Sequence, residues 1–314
     1  MAAQNSTYFT NPGFPSSYNN TNTCTLTIHR VPGVNKICQI RLDFMDFELI
    51  QPNEGNCDKD QFIVSGHNLN SPAPTICGFN SGQHMYLDVD GVQGPLIMNV
   101  RTDGPGNRRW NILVSQIECT NPSRAPPNCL QYLMGPTGVI MSFNYEVLQQ
   151  TNINVLNTLI PTVSTQLSDW NYKGIGYMND LHYSICFRKE QYFCTQTYSL
   201  DNISHLLTLN DQSFSINNTG VKEKEGEIGL TKCSEDYILL NGIRYCGYRL
   251  TSLGDNKEIN GQITDDGSGP FIVKFITDNK ISGRGFKLNY RQNPCINALQ
   301  IPQTSHRPHT PNNT

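Results

Sequence analysis

The cysteines of this chain fall in the same order twice, and that repetition limits what it can fold into more than any other feature. Eleven are present in 314 residues. The C-terminal half runs Cys129, Cys186, Cys194, Cys233, Cys246, Cys295, and the N-terminal half repeats the last five as Cys24, Cys38, Cys57, Cys77, Cys119. The surrounding text repeats too. Cys57 opens CDKDQFIV and Cys233 opens CSEDYILL, each with an Asp three residues on, and Cys77 and Cys246 are both followed by Gly. Near the two ends, GPLIMNVRTD leads into RRWNILVSQIEC and GPFIVKFITD into GRGFKLNYRQNPC. Two copies of one domain are expected, over residues 1–119 and 129–295, with a Pro-rich linker at 120–128 and a polar, disordered tail at 296–314.

Each copy is long enough to bury its own core. A formal net charge of -3 gives no basic excess for nucleic acid or an anionic membrane surface, and no apolar run reaches the roughly 18 residues of a membrane span. No CxxC and no Cys/His spacing suits zinc, so the repeated cysteines imply disulfides and an oxidising, extracellular setting. Sequons at Asn5, Asn19, Asn202, Asn217 and Asn312 agree with a secreted glycoprotein. The opening MAAQNSTYFTN has no apolar signal-peptide core, and the first copy lacks its first cysteine. Both facts lead to the expectation that an upstream segment has been lost from this sequence.

Period-two alternation dominates the pattern. Cys38, Ile40, Leu42 and Phe44 share one face of a predicted strand while Gln39, Arg41 and Asp43 share the other, as a strand buried on one side and solvated on the other requires. Trp110, Ile112 and Val114 alternate likewise, as do Phe286, Leu288 and Tyr290 at the matching place in the second copy. Short strands between Gly, Pro and Asn turns, without helical periodicity, predict an all-β chain of two tandem antiparallel sandwiches. The second copy carries a long insertion near 147–176, expected on the surface.

Catalytic motifs are missing. DDGSGP at 265–270 superficially looks like a serine nucleophile loop, but the first copy reads DGVQGP there, with no serine, so a turn is expected. HExxH, a Gly-rich phosphate loop and GxSxG do not occur, and no histidine has an evident partner. His306 and His309, in the tail, lack a third metal ligand. A non-enzyme is expected.

The phrase YFTNPGFPSSYNNTNTC resembles the opening of CUB domains, and DFMDFEL, the C-x-x-D of Cys57 and Asp60, and VRTD before an aromatic strand follow in that family's order. GVIMSFNYE, CSED and FITDNKISGRGF look like the same elements in the second copy. The whole resembles secreted arthropod proteins with two CUB domains. The resemblance implies jelly-roll sandwiches in which four cysteines pair first to second and third to fourth. Carried across, this joins Cys57 to Cys77, Cys129 to Cys186 and Cys233 to Cys246, with the partner of Cys24 lying upstream of Met1. The cysteines beyond the family set are inferred to pair as Cys38–Cys119 and Cys194–Cys295, each loop contributing about 3–5 kcal/mol in the chain-entropy model. A Cys24–Cys38 link between neighbouring strands remains open.

Calcium-binding members resemble one another in a Tyr, Glu, Asp, Asp set, and the first copy offers Tyr18, Glu48, Asp60 and Asp103. Gathered carboxylates repel, and a hard cation that takes oxygen ligands relieves the repulsion. Calcium is therefore the implied cofactor, held at about 0.1–1 mM as in other extracellular modules. The long gap IQPNEGN after Glu48 could place Glu54 there instead. The second copy keeps only Asp236 and Asp278, its Glu48 position falling on Ser204, so no calcium is expected there. The resemblance further implies that such a site meets a lysine or arginine of a partner protein. Two other readings are an accessory region of an extracellular protease and a carbohydrate- or surface-binding protein.

Overall fold

Strands with apolar residues on one side must pair edge to edge and then face to face, and the chain does both. The structure, a computed structural model, describes residues 5–31, 36–145, 176–200, 214–216, 218, 225–253, 256–280 and 282–295. Expectations for all but the last residue of the insertion, for Asn202, Ser204, Asn217 and Asn312, and for the tail with His306 and His309 lie outside the described residues.

The first half forms β1 (Ser6–Thr10), β2 (Asn22–Ile28), β3 (Ile37–Glu48), β4 (Gln61–Ser65), β5 (His84–Asp88), β6 (Leu96–Thr102) and β7 (Arg109–Glu118). They make two antiparallel sheets, ordered β1-β7-β3-β5 and β2-β6-β4. The second half begins with β8 (Gln131–Leu133), β9 (Thr137–Met141), β10 (His182–Phe187), β11 (Phe193–Leu200), β12 (Phe214–Ser215) and β13 (Gly226–Ile228). It continues with β14 (Tyr237–Leu240), β15 (Ile243–Gly247), β16 (Ser252–Leu253), β17 (Asn256–Asn260), β18 (Ile263–Asp265), β19 (Ile272–Ile276) and β20 (Gly285–Pro294). One sheet runs β13-β15-β14-β19-β10-β8 and the other β12-β20-β11-β18, with β9 also on β20 and a small β16-β17 pair. Only β8 and β10 pair in parallel among the described strands. The fold is all-β, a tandem of jelly-roll sandwiches, as expected, and no helix occurs among the described residues.

Disulfides join Cys38–Cys119, Cys57–Cys77, Cys129–Cys186, Cys194–Cys295 and Cys233–Cys246, and each stays within its own half. These are the five expected pairs. Cys24 remains a thiol, so the link to Cys38 left open above is not formed.

The alternating residues fill the core. Ile40, Leu42, Phe44, Trp110, Ile112 and Val114 are buried in the first sandwich, and Phe286, Leu288 and Tyr290 in the second. A register shift between Phe44 and Asp46 breaks strict alternation in β3, so that Phe47 points inward and meets Phe44 at a tilt and Phe62 edge-on, at ring separations of 4.9 and 5.6 Å.

The face of β3 that carries Gln39 was expected to be solvated, but Gln39 is 1% exposed. The 120–128 connector folds onto it: Gln39 donates to the Ala125 carbonyl at 2.9 Å and accepts from the Ala125 N–H at 2.9 Å. The linker is thus packed against the first sandwich instead of spanning free between the two. Residues 130–132 then cover the β5 edge, where the Tyr86 N–H donates to the Leu130 carbonyl at 2.7 Å and the Tyr132 N–H to His84 Nε2 at 3.1 Å. An edge that would otherwise invite strand addition is closed by the chain's own second half.

Asn144 anchors the rest of the joint in a left-handed conformation, φ 58°. It takes a bond from the Phe79 N–H at 2.7 Å, gives its own N–H to Asn80 Oδ1 at 2.8 Å, and reaches Gln51 Oε1 at 2.9 Å with Nδ2. Gly78 has to be glycine here, since a Cβ would lie 2.1 Å from Asn144 Oδ1 and φ is +74°. Gly55 meets Asn179 in the same way, with a Cβ falling 2.2 Å from Asn179 Oδ1.

Candidate functional site

Asp60 lies just before β4, three residues after a disulfide cysteine, and is 1% exposed. A buried carboxylate needs partners for its charge and its lone pairs, and Asp60 has both. Ile50 N–H donates to its Oδ2 at 2.8 Å and Asp103 N–H to its Oδ1 at 3.2 Å. The charge is met by Arg108, itself 0% exposed, which approaches in a two-pronged geometry with Nε on Oδ2 at 2.7 Å and Nη2 on Oδ1 at 2.9 Å. The rest of the guanidinium is used on the loop above: Nη2 donates to the Asp103 carbonyl and Nη1 to the Gly106 carbonyl, both at 2.9 Å.

Each other residue of the expected calcium set has a different fate. Tyr18 is buried and pairs through its backbone with Arg108, at 2.7 and 3.0 Å, while its ring stands edge-on to Trp110 at 5.7 Å. Glu48 ends β3 and Asp103 follows β6, both exposed, and neither side chain makes a hydrogen bond or ion pair. Glu54 is carried away to the joint, where its carbonyl accepts from Asn179 Nδ2 at 3.0 Å.

In this arrangement Tyr18, Glu48, Asp60 and Asp103, the residues expected to form a calcium centre, do not fit the ion. No group of three or more His, Cys, Asp or Glu is placed to hold a metal among the described residues. The physical reason is Arg108, whose charge lies on the carboxylate at the centre of the set. Its place was legible. Arg108, just before β7, is in phase with Trp110, Ile112 and Val114 on that strand's inward face, and an arginine in phase with a core face requires a buried counter-ion.

The second half shows the same place with different contents. Asp236, 2% exposed, accepts from the Asp278 N–H at 2.7 Å and the Tyr177 hydroxyl at 2.5 Å, and its carbonyl takes the Asn218 amide. Burial pushes the Asp236 carboxyl up to about 7; the Tyr177 and Asp278 bonds oppose the rise, and nearby Asp278 and Glu235 charges add to it. Lys280 sits at the rim on Glu235 at 3.2 Å and Asp278 at 3.6 Å. Arg284, the counterpart of Arg108 in the repeat, lies 5.1 Å over the Tyr145 ring.

The model of the CUB domain matches residues 2–109 and that of the animal CUB domain residues 126–293. No curated protein sequence matches. Among solved structures, the CUB1-EGF-CUB2 domains of rat MASP-1 align at 16% identity over 92% of this chain and 98% of theirs, with a TM-score of 0.30. The same region of human MASP-1/3 aligns at 15% identity over 92% and 100%, with a TM-score of 0.29. A MASP-1 CUB2 domain bound to Ca2+ aligns at 20% identity over 36% of this chain and 94% of its own, with a TM-score of 0.28.

Proposed function

Because the chain belongs to the CUB domain family, with one match in each half, we propose that it is an extracellular, non-catalytic module that binds another protein through the loop end of its first domain. The observation that carries this reading is the pair of free carboxylates there. Glu48 lies two residues from the Ile50 N–H that Asp60 accepts, and Asp103 donates its own N–H to the same carboxylate. Both acids thus stand on a base that the fold has already ordered. A lysine or arginine of a partner would gain a charge-assisted bond there without the cost of arranging the acids. Five disulfides support an oxidising setting outside the cell.

The test is to probe an array of secreted proteins and receptor ectodomains with the full chain, then repeat with Glu48→Lys and Asp103→Lys. Charge reversal is expected to weaken the selected partner by about tenfold or more, chiefly through slower, salt-sensitive association. Partners indifferent to both reversals would exclude this surface.

A second reading has its own observation, a shallow groove of about 450 Å³ on the outer face of the β9-β20-β11-β18 sheet. Register places Thr137, Arg291 and Thr197 in one row across it, with Asn289 and Ser199 in the next. Arg291 is exposed and without an ion pair or side-chain hydrogen bond, and no carboxylate lines the groove. One cation among hydroxyls and amides suits an acidic saccharide. Binding to sialylated or sulfated glycans that Arg291→Ala abolishes would favour this reading over the first.

A further inference from the structure

The family resemblance implies an ion at the loop end of the first domain, and the structure puts a side chain there. We infer that the Arg108 guanidinium is a built-in replacement for calcium, bracing the first domain's recognition loops from within and making that end independent of the ion. Three stretches of chain converge on the pair. Ile50 brings the loop after β3, Asp103 and Gly106 bring the loop between β6 and β7, and the Tyr18 turn is held through the backbone of Arg108 itself. A divalent ion would gather the same segments by binding oxygens. Arg108 does so by donating hydrogen bonds to two carboxylate and two carbonyl oxygens.

The substitution also explains the fate of the remaining acids. Calcium would draw Glu48 and Asp103 inward as ligands, whereas one positive charge is balanced by Asp60 alone and leaves both outside. Fully buried, Arg108 has no water to turn to, so it cannot withdraw to admit an ion without breaking four hydrogen bonds and stranding a charge. The brace is a property of the fold and can stand if the proposed recognition of a basic partner fails; melting reads the first and charge reversal at Glu48 and Asp103 reads the second.

The experiment is thermal melting of the full chain in millimolar calcium and in chelator, followed by the fluorescence of Trp110, which packs against Tyr18. Wild type is expected to melt at one temperature in both. Arg108→Ala is expected to melt lower by more than about 10 °C, and Arg108→Lys, which keeps the charge and loses the two-pronged grip, by less. If Arg108→Ala does not fold, the Lys variant and the neutral pair Asp60→Asn with Arg108→Gln carry the comparison, the pair melting above Asp60→Asn alone, which strands the Arg108 charge. A calcium-dependent rise in wild type that Asp60→Asn removes would overturn the inference, as would Arg108 variants that melt like wild type.

Discussion

The two halves carry the same aspartate three residues after the same cysteine, and they satisfy it differently. In both, the carboxylate accepts the backbone N–H of the loop aspartate, Asp103 at 3.2 Å and Asp278 at 2.7 Å. The second partner differs: a buried arginine on Asp60 and a tyrosine hydroxyl on Asp236. What the fold requires at this position is thus a backbone acceptor that pins the loop. The compensating charge is supplied locally, and each copy has found its own solution. An ionised pair and a carboxyl prone to hold its proton have opposite sensitivities, which makes the comparison open to attack.

The largest effect should come from asking each aspartate to lose its charge. Asp60→Asn leaves Arg108 buried without a counter-ion and should cost about 3–5 kcal/mol. Asp236→Asn at pH 8 removes a charge that burial already disfavours and should be neutral or stabilising. Urea unfolding of the two variants decides this, and equal losses would mean that the two sites are not different in kind.

The next effect is in pH, and its sign differs between two places. Asp236 binds its proton more tightly when folded, about 7 against 3.8, so its contribution is full below pH 4 and is lost as pH rises through 7. That difference corresponds to about 4 kcal/mol. His84, at the joint, moves the other way. Burial chiefly, with Arg41 beside it, lowers it from 6.5 to about 4, against the Asp43 charge and a backbone bond with Tyr132 that raise it. Its contribution is full above pH 6.5 and is lost as pH falls through 4. Stability measured across pH 3.5–8 should therefore lose its alkaline decline in Asp236→Asn and part of its acid decline in His84→Gln. Parallel profiles for wild type and both variants would contradict the assignment.

Much of this was readable beforehand, for reasons that particular residues make plain. The duplicated cysteines and the alternation of Trp110 and Phe286 with their neighbours identify the sandwiches, because burial on one face of a strand is a local pattern. The Gly after Cys77 was visible as a repeat, but its cause, the close approach of Asn144, lies 66 residues away in the chain. Gln39 read as solvated for the same reason: what covers it, Ala125, belongs to the linker. At the site, Asp60 and Asp103 came from the family resemblance, whereas Arg108, in phase with the core, was not read as the partner of Asp60. Local signals revealed which groups need partners, and only the fold showed which partners they have.

A smaller effect tests whether the two halves are held as one unit. Asn144→Ala leaves the Phe79 N–H without its acceptor and removes the bond to Gln51, so a loss of about 1–3 kcal/mol is expected. Small-angle scattering should show a wider spread of inter-domain distances than in wild type. An unchanged profile and unchanged stability would show that the linker contacts alone fix the joint.

The smallest effect concerns the one place where the halves differ by a covalent bond. Cys186 occupies in the second half the position of Cys24 in the first, and it is bonded to Cys129, whereas Cys24 is a half-buried thiol on β2. Burial raises the Cys24 thiol above its usual range, and a hydrogen bond with Tyr18 opposes that rise. Since the thiolate is the reactive form, labelling of the folded chain at pH 8 should modify one thiol, and more slowly than a free peptide thiol. Tyr18→Phe should slow it further, and Cys24→Ser should change stability by no more than about 0.5 kcal/mol. Peptide-like labelling, or a Tyr18→Phe variant that reacts faster, would show that the β2 edge of the β2-β6-β4 sheet is more open than its burial implies.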